Sequence, residues 1–276
     1  MSCLATISSE DVIKGIAEWK RIDAVRESLT EMYWKRVYRE VKRLAAPILE
    51  AVKKSQSLPE AEAVATNQRV ETARMEILFE KMYIHAGQVF GKMTVESLKS
   101  EAPYYFMKSQ HDVEVEVGDT FFITTMKKYA ELYGAEKVKL ISDTNRAIIR
   151  EIIRNAIKQG DSVDKAAERI RDHFIGDITK NRSVMIARTE IMSASSHAQL
   201  ETGFEIERMG LPLKKKWLPT PRPVNRPHHL AMAGKPPIGL RDRFLVGGIY
   251  MMRPHDPEAP ASEVVNCRCT VTFHPV

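Results

Sequence analysis

The sequence predicts an α+β protein: a mainly helical N-terminal body with long amphipathic helices, followed by a small, loop-rich, β-containing C-terminal unit. Three observations carry this. Apolar residues recur at spacings of three and four over most of the first 210 residues. Of the 14 prolines, 11 lie after position 210, where each one breaks helix and removes a backbone donor. The charge divides at the same place: residues 1–210 carry 32 basic and 32 acidic side chains, whereas 211–276 carry 10 and 4, so the whole net charge of +6 sits in the last segment.

Residues 10–56 read as one long helix. Ile22, Val25, Leu29, Tyr33, Val37, Val41, Leu44, Ile48 and Val52 form its apolar stripe, and Pro47 is expected to kink it. No regular heptad persists, so the stripe suits a bundle core or an oligomer contact better than a coiled coil. Ser57-Leu58-Pro59 ends it. A second helical run covers about 60–98, with Ala63, Val70, Ala73, Ile77, Leu78 and Met82 as its apolar face and Gly87 and Gly91 weakening its end. Residues 100–118 read as a connection in which Val113, Val115 and Val117 alternate with acidic residues as a short strand. A helix over 120–133 should end at Gly134. The next should start at Ser142-Asp143-Thr144 and close at Gly160. Asp161-Ser162 begins another, and the last spans about 178–208.

In the C-terminal segment, Lys214-Lys215-Lys216-Trp217-Leu218 reads as a strand, and Val264–Phe273 has strong β composition. Short strands are expected around Phe244-Leu245 and Tyr250-Met251. Such a unit has little core of its own, so it needs docking onto helices, an internal polar network or a metal. Cys267 and Cys269 lie two apart, and four of the eight histidines fall in this segment. Thiolate and imidazole are ligands that zinc prefers, which makes His229, Cys267 and Cys269 candidate zinc ligands. The alternative is two small buried residues under a loop. The basic residues Lys214, Lys215, Lys216, Arg222, Arg241 and Arg243 are candidates for contact with DNA or an acidic protein surface.

Several classes are excluded or weakened. No run of about 18 apolar residues exists, so no transmembrane helix and no membrane partner are expected. The start, Met1-Ser2-Cys3-Leu4, shows no export signal, and three cysteines do not make a disulfide scaffold. No P-loop, Rossmann glycine fingerprint or His-Glu-x-x-His occurs. Arg188, Glu190, Arg226 and His229 would suit a metal-free nuclease, and Cys267 with a histidine a thiol hydrolase, but neither set has a local signature.

Ala187-Arg188-Thr189-Glu190, then Lys216-Trp217, then Arg226-Pro227-His228-His229, then Asn266-Cys267-Arg268-Cys269 occur in that order. This set resembles the phage Mu F-like family of minor head proteins, also called phage head morphogenesis proteins. The resemblance is clear over about 178–273. It implies a head morphogenesis domain over 136–276, made of helices 142–208 and the basic β unit 211–276; residues 1–135 carry no motif of the family and read as a helical extension whose amphipathic stripe suits portal or oligomer contact. It further implies a virion component rather than an enzyme, placed inside the head near the portal vertex after synthesis in the host cytoplasm. The partners it implies are the portal ring, the major capsid or scaffold protein, and packaged DNA. Arg188, Thr189, Glu190, Trp217, Arg226, His229, Asn266, Cys267, Arg268 and Cys269 are then structural motif residues. Arg188 or Glu190 would anchor the C-terminal loops, with Arg226 and His229 in the same network. One departure stands out: Arg222 sits where the family usually has an Asp.

Overall fold

A computed structural model describes residues 9–108, 117–221 and 225–276. The expected strand at Val113 and Val115, the residue Arg222 and the start Met1–Leu4 lie outside the described residues. The rest is α+β, as the sequence predicts. The helices are α1 (Ser9–Lys53), α2 (Leu58–Asn67), α3 (Ala73–Glu101), α4 (Pro103–Lys108), α5 (Asp119–Tyr129), α6 (Ala135–Gln159), α7 (Val163–Ile175) and α8 (Asp177–Arg208). A short β-containing region follows. Among the described residues no helix is long and apolar enough to cross a membrane.

Two compact units form. One comprises Met1–Leu29, Tyr83–Lys128 and Arg188–Val276, the other Thr30–Met82 and Tyr129–Ala187. The helices α1, α3 and α8 each contribute to both.

The second unit is all helical. Its part of the α1 stripe, from Tyr33 through Val52, is buried as the periodicity requires. The expected apolar face of the second run is out of phase. Of its six residues Met82 is buried, Val70 and Leu78 are half-buried, and Ala63, Ala73 and Ile77 are exposed, while Ala61, Ala65, Met75 and Phe79 are buried instead. A break at residues 68–72 separates α2 from α3. Arg146 of α6 donates to the carbonyls of Ala65, Thr66 and Gln68, satisfying the C-terminal groups of α2. Asn145 donates to the Val41 carbonyl and accepts from Arg182.

Gly134 does not end a helix. Helical backbone runs on from α5 through a π-helical turn at Ala130–Gly134 into α6, and Ser142 is buried in mid-helix rather than capping. Ordinary helical dihedrals at Gly134 leave its special freedom unused, so composition alone misplaced the boundary. Gly160 does take the left-handed cap conformation, with φ +67°, and the Ser162 hydroxyl caps α7 by accepting from the Lys165 amide.

The first unit holds the β-structure. β1 (Leu213–Leu218) is the central strand of an antiparallel sheet, flanked by β2 (Ile238–Gly239) and β5 (Thr270–Pro275). β3 (Phe244–Val246) and β4 (Ile249–Met251) form a hairpin. Its Gly247-Gly248 turn has φ +58° and +84°, the two positive values that a tight two-residue hairpin needs. Two short helices, α9 (Pro227–Leu230) and α10 (Ala261–Val264), lie in the connections. The expected strand at 264–273 is therefore shorter than its composition suggests. Residues 261–264 are helical, and pairing begins only at Thr270. Trp217, Phe244, Met251, Val271 and Phe273 share one core cluster with Leu98, Phe122, Leu200 and Ile206 of the helices. The small sheet is docked onto helices, as its size demands.

Gly91 marks a close approach within this unit rather than a weak helix end, since α3 continues to Glu101. A Cβ there would stand 2.1 Å from the Phe122 ring of α5, and one at Gly87 would stand 2.2 Å from Met126. Gly91→Ala gains helix propensity but overpacks this crossing, and a net loss of about 1–2 kcal/mol is expected. Gly234→Ala, with nothing within 4 Å, should change little. Urea unfolding of the two variants tests the contrast.

Candidate functional site

The Asn-Cys-Arg-Cys segment is gripped from two sides. On one side stands α1. Arg26, fully buried on its apolar face, donates through Nε to Ser195 Oγ at 2.8 Å and through Nη1 to the Cys269 carbonyl at 3.1 Å. Its Nη2 reaches Ser196 Oγ at 3.3 Å and Thr270 Oγ1 at 3.2 Å. One guanidinium thus joins α1, α8 and the entry to β5. Burial lowers its pKa to about 10, so the charge persists at neutral pH. Next to it Arg268 clasps both carboxylate oxygens of Asp23, at 3.0 and 2.9 Å, and reaches Glu27 at 2.5 Å. Trp19 Nε1 donates to the Arg268 carbonyl at 2.8 Å.

On the other side lies a sulfur–imidazole cluster. Asn266 adopts φ +57°, a left-handed conformation that Asn tolerates better than most residues, and the turn lets the Cys267 amide donate to the Val264 carbonyl at 3.2 Å. Cys267 and Cys269 are free thiols, 2% and 0% exposed, and both face His229, which is 0% exposed. His229 Nδ1 lies 3.6 Å from Cys267 Sγ and 3.5 Å from Cys269 Sγ. Its Nε2 lies 2.9 Å from Glu263 Oε2, which also pairs with His228 Nε2 at 2.7 Å. The rings of Trp217 and His229 pack edge to face, 5.4 Å between centroids.

The electrostatics follow from this packing. Burial opposes charge on His229, but its hydrogen bonds to Cys269 and Glu263 outweigh burial and raise its pKa. Burial would likewise raise Cys269, yet Cys267 and His229 beside it hold its thiol well below the usual range. Cys267 moves up, from its bond with Cys269 and from burial. A cysteine–histidine pair is the core of a thiol hydrolase. In this protein neither partner has exposed surface through which a substrate could approach.

The sequence-predicted residues separate into different groups. Arg188 pairs with Glu27 at 3.1 Å and so reaches Arg268 only through that shared carboxylate. Glu190 accepts from Tyr83 at 2.6 Å, and the Thr189 hydroxyl is buried without a hydrogen-bond partner. Arg226 donates to the Val265 carbonyl at 2.9 Å. Arg226 thus meets the backbone beside Asn266, as expected, while Arg188 reaches the segment through Glu27. Among the candidate DNA contacts, Lys215 corrects the expectation. Strand alternation turns it inward, where its Nζ donates to the Met252 carbonyl at 2.7 Å and burial lowers its pKa to about 8. Arg241 and Arg243 are occupied by Glu207 and Glu258. Lys214 is exposed and Lys216 half-buried.

Sequence reasoning missed Arg26, Asp23, Glu27 and Glu263. For Arg26 a signal existed. It lies four residues after Ile22 and three before Leu29, on the buried stripe, whereas Val25 is only half-buried.

Comparison with known proteins adds one match. Residues 147–272 match the family described as phage Mu protein F like protein. No curated protein and no solved structure matches the chain.

Two predictions follow the geometry of this unit. Arg26→Ala strands several buried acceptors and should cost about 3 kcal/mol or more, whereas Arg188→Ala, at a part-exposed pair, should cost about 1 kcal/mol or less. Chemical denaturation of both variants measures the difference. The second concerns His197 on α8, whose pKa burial and then Arg253 lower from 6.5 to about 3. The unfolded chain takes up a proton below about pH 6.5 that the folded chain refuses. Stability present above 6.5 is therefore lost as pH falls towards 3, by at most about 1.4 kcal/mol per pH unit. His197→Gln should remove this part of the slope in denaturation curves recorded from pH 7.5 to 4.5.

Proposed function

We propose, from the phage Mu protein F-like character of residues 147–272, that the chain is a phage head morphogenesis protein that acts in the virion through protein contacts at the portal vertex. The match carries the reading. The site geometry supports it, because the motif residues are spent on holding the chain together. Arg26 and Arg268 bind the Asn-Cys-Arg-Cys segment to helices, and the nucleophile-like Cys269–His229 pair is sealed from solvent. These are the features of a rigid assembly part rather than of a catalyst.

The same geometry favours protein over DNA as the direct partner of the C-terminal unit. Of the six basic residues singled out there, Lys215 is buried and Arg241 and Arg243 are paired with carboxylates. Phosphate binding needs cations free to displace counterions.

Quantitative mass spectrometry of purified, nuclease-treated particles of the encoding phage tests the proposal. A small, fixed ratio of this chain to the portal protein is expected. Absence from both mature particles and empty procapsids would overturn it.

A further inference from the structure

We infer that Cys267, Cys269 and His229 form a zinc site, with the imidazole bound through Nδ1. The inference is independent of the proposed role in the head.

The first argument is metric. A tetrahedral ion with Zn–S of about 2.3 Å and Zn–N of about 2.0 Å separates sulfur from nitrogen by about 3.5 Å. The two separations in this protein are 3.6 and 3.5 Å. All three donor atoms lie within 4.8 Å of one another. The neighbouring group of His228, His229 and Glu263 also gathers potential ligands, but its N···O separations of 2.7 and 2.9 Å are hydrogen-bond lengths, shorter than the edge of about 3.3 Å that tetrahedral coordination requires.

The second argument is the outer shell. Glu263 accepts from His229 Nε2, which places the ring proton there and leaves the Nδ1 lone pair directed at the sulfurs. A carboxylate on the far nitrogen is the arrangement that orients a metal-bound histidine. N–H donors also reach both sulfurs. The Cys269 amide lies 3.4 Å from Cys267 Sγ, and Asn225 Nδ2 lies 3.9 Å from Cys269 Sγ. Such donors stabilise ligand thiolates.

The third argument is hydrogen-bond accounting. With its Nε2 proton committed to Glu263, neutral His229 offers a single acceptor, Nδ1, to two buried sulfurs that lie 3.6 and 3.5 Å from it. One cation satisfies all three atoms. It would also staple the α9 loop to the entry of β5, across sequence separations of 38 and 40 residues, in a unit with little core of its own. Three side-chain donors come from the described residues, and the fourth position falls to water or a main-chain oxygen.

The test is elemental analysis of the full-length chain, purified without a polyhistidine tag from zinc-supplemented cells, together with cobalt substitution. About one zinc per chain is expected, and cobalt should give the sulfur-to-metal charge-transfer bands of thiolate coordination. Cys267→Ser, Cys269→Ser and His229→Gln should each lose the metal. Glu263→Gln should retain it with an affinity weakened about 10-fold or more. Should the ligand variants fail to fold, a mercurial titrating the wild-type thiols reads the site instead, since it should release zinc in step with modification of Cys267 and Cys269. A well-folded wild-type chain with less than about a tenth of a zinc per molecule, or cobalt spectra without thiolate bands, would overturn the inference.

Discussion

Burying the charge of Arg26 is the constraint around which the first unit is arranged. A guanidinium in the interior is tolerable only when its donors are met, since an unpaired buried charge costs several kcal/mol. Here they are met by Ser195 and Ser196 of α8 and by the backbone and side chain at Cys269 and Thr270. This explains why α8 presents small hydroxyl residues instead of apolar ones at its most buried turn. It also explains why Arg268 turns the other way, to Asp23 and Glu27 one turn along α1. With one arginine inside and one at the rim, the segment between the cysteines cannot slide along the helix.

The second grip on that segment is built from different chemistry. His229, Glu263 and the two sulfurs close against Trp217, whose ring fills the space between the sheet and the loop. The sheet alone is small, with β2 contributing only two residues. Its order thus comes from the flanks: polar anchoring on the helix side, and imidazole–sulfur packing on the loop side. Lys215 completes the picture, because even a lysine on the central strand is used inward, on the Met252 carbonyl and over the Phe244 ring.

Much of this was legible in the sequence. The α1 stripe, the caps at Gly160 and Ser162, and the strands at 213–218, 244–246 and 249–251 follow from local pattern, and the grouping of His229 with Cys267 and Cys269 from the shared preference of imidazole and thiolate for zinc. What local pattern could not supply was partnership across long separations. Gly134 and Gly91 look like helix breakers, yet one continues a helix and the other admits a neighbouring ring. Lys214, Lys215 and Lys216 look alike as a charge run, and only strand alternation distinguishes them. Arg188 and Arg226 each meet a partner that their own neighbourhood in sequence does not reveal. The division into two units follows the same logic, since it depends on which distant stretches pack together.

The contact between α1 and the last strand also sets a schedule for biosynthesis. Trp19 and Arg26 find their acceptors 249 and 243 residues further along the chain. At a synthesis rate of about 5–20 residues per second, the N-terminal helix waits on the order of tens of seconds before those acceptors exist. Through that interval Arg26 stays in water, as a guanidinium readily does, and keeps an otherwise apolar stripe soluble. The contacts of Trp19 and Arg26 with residues 268–270 therefore form only after that segment has left the ribosome.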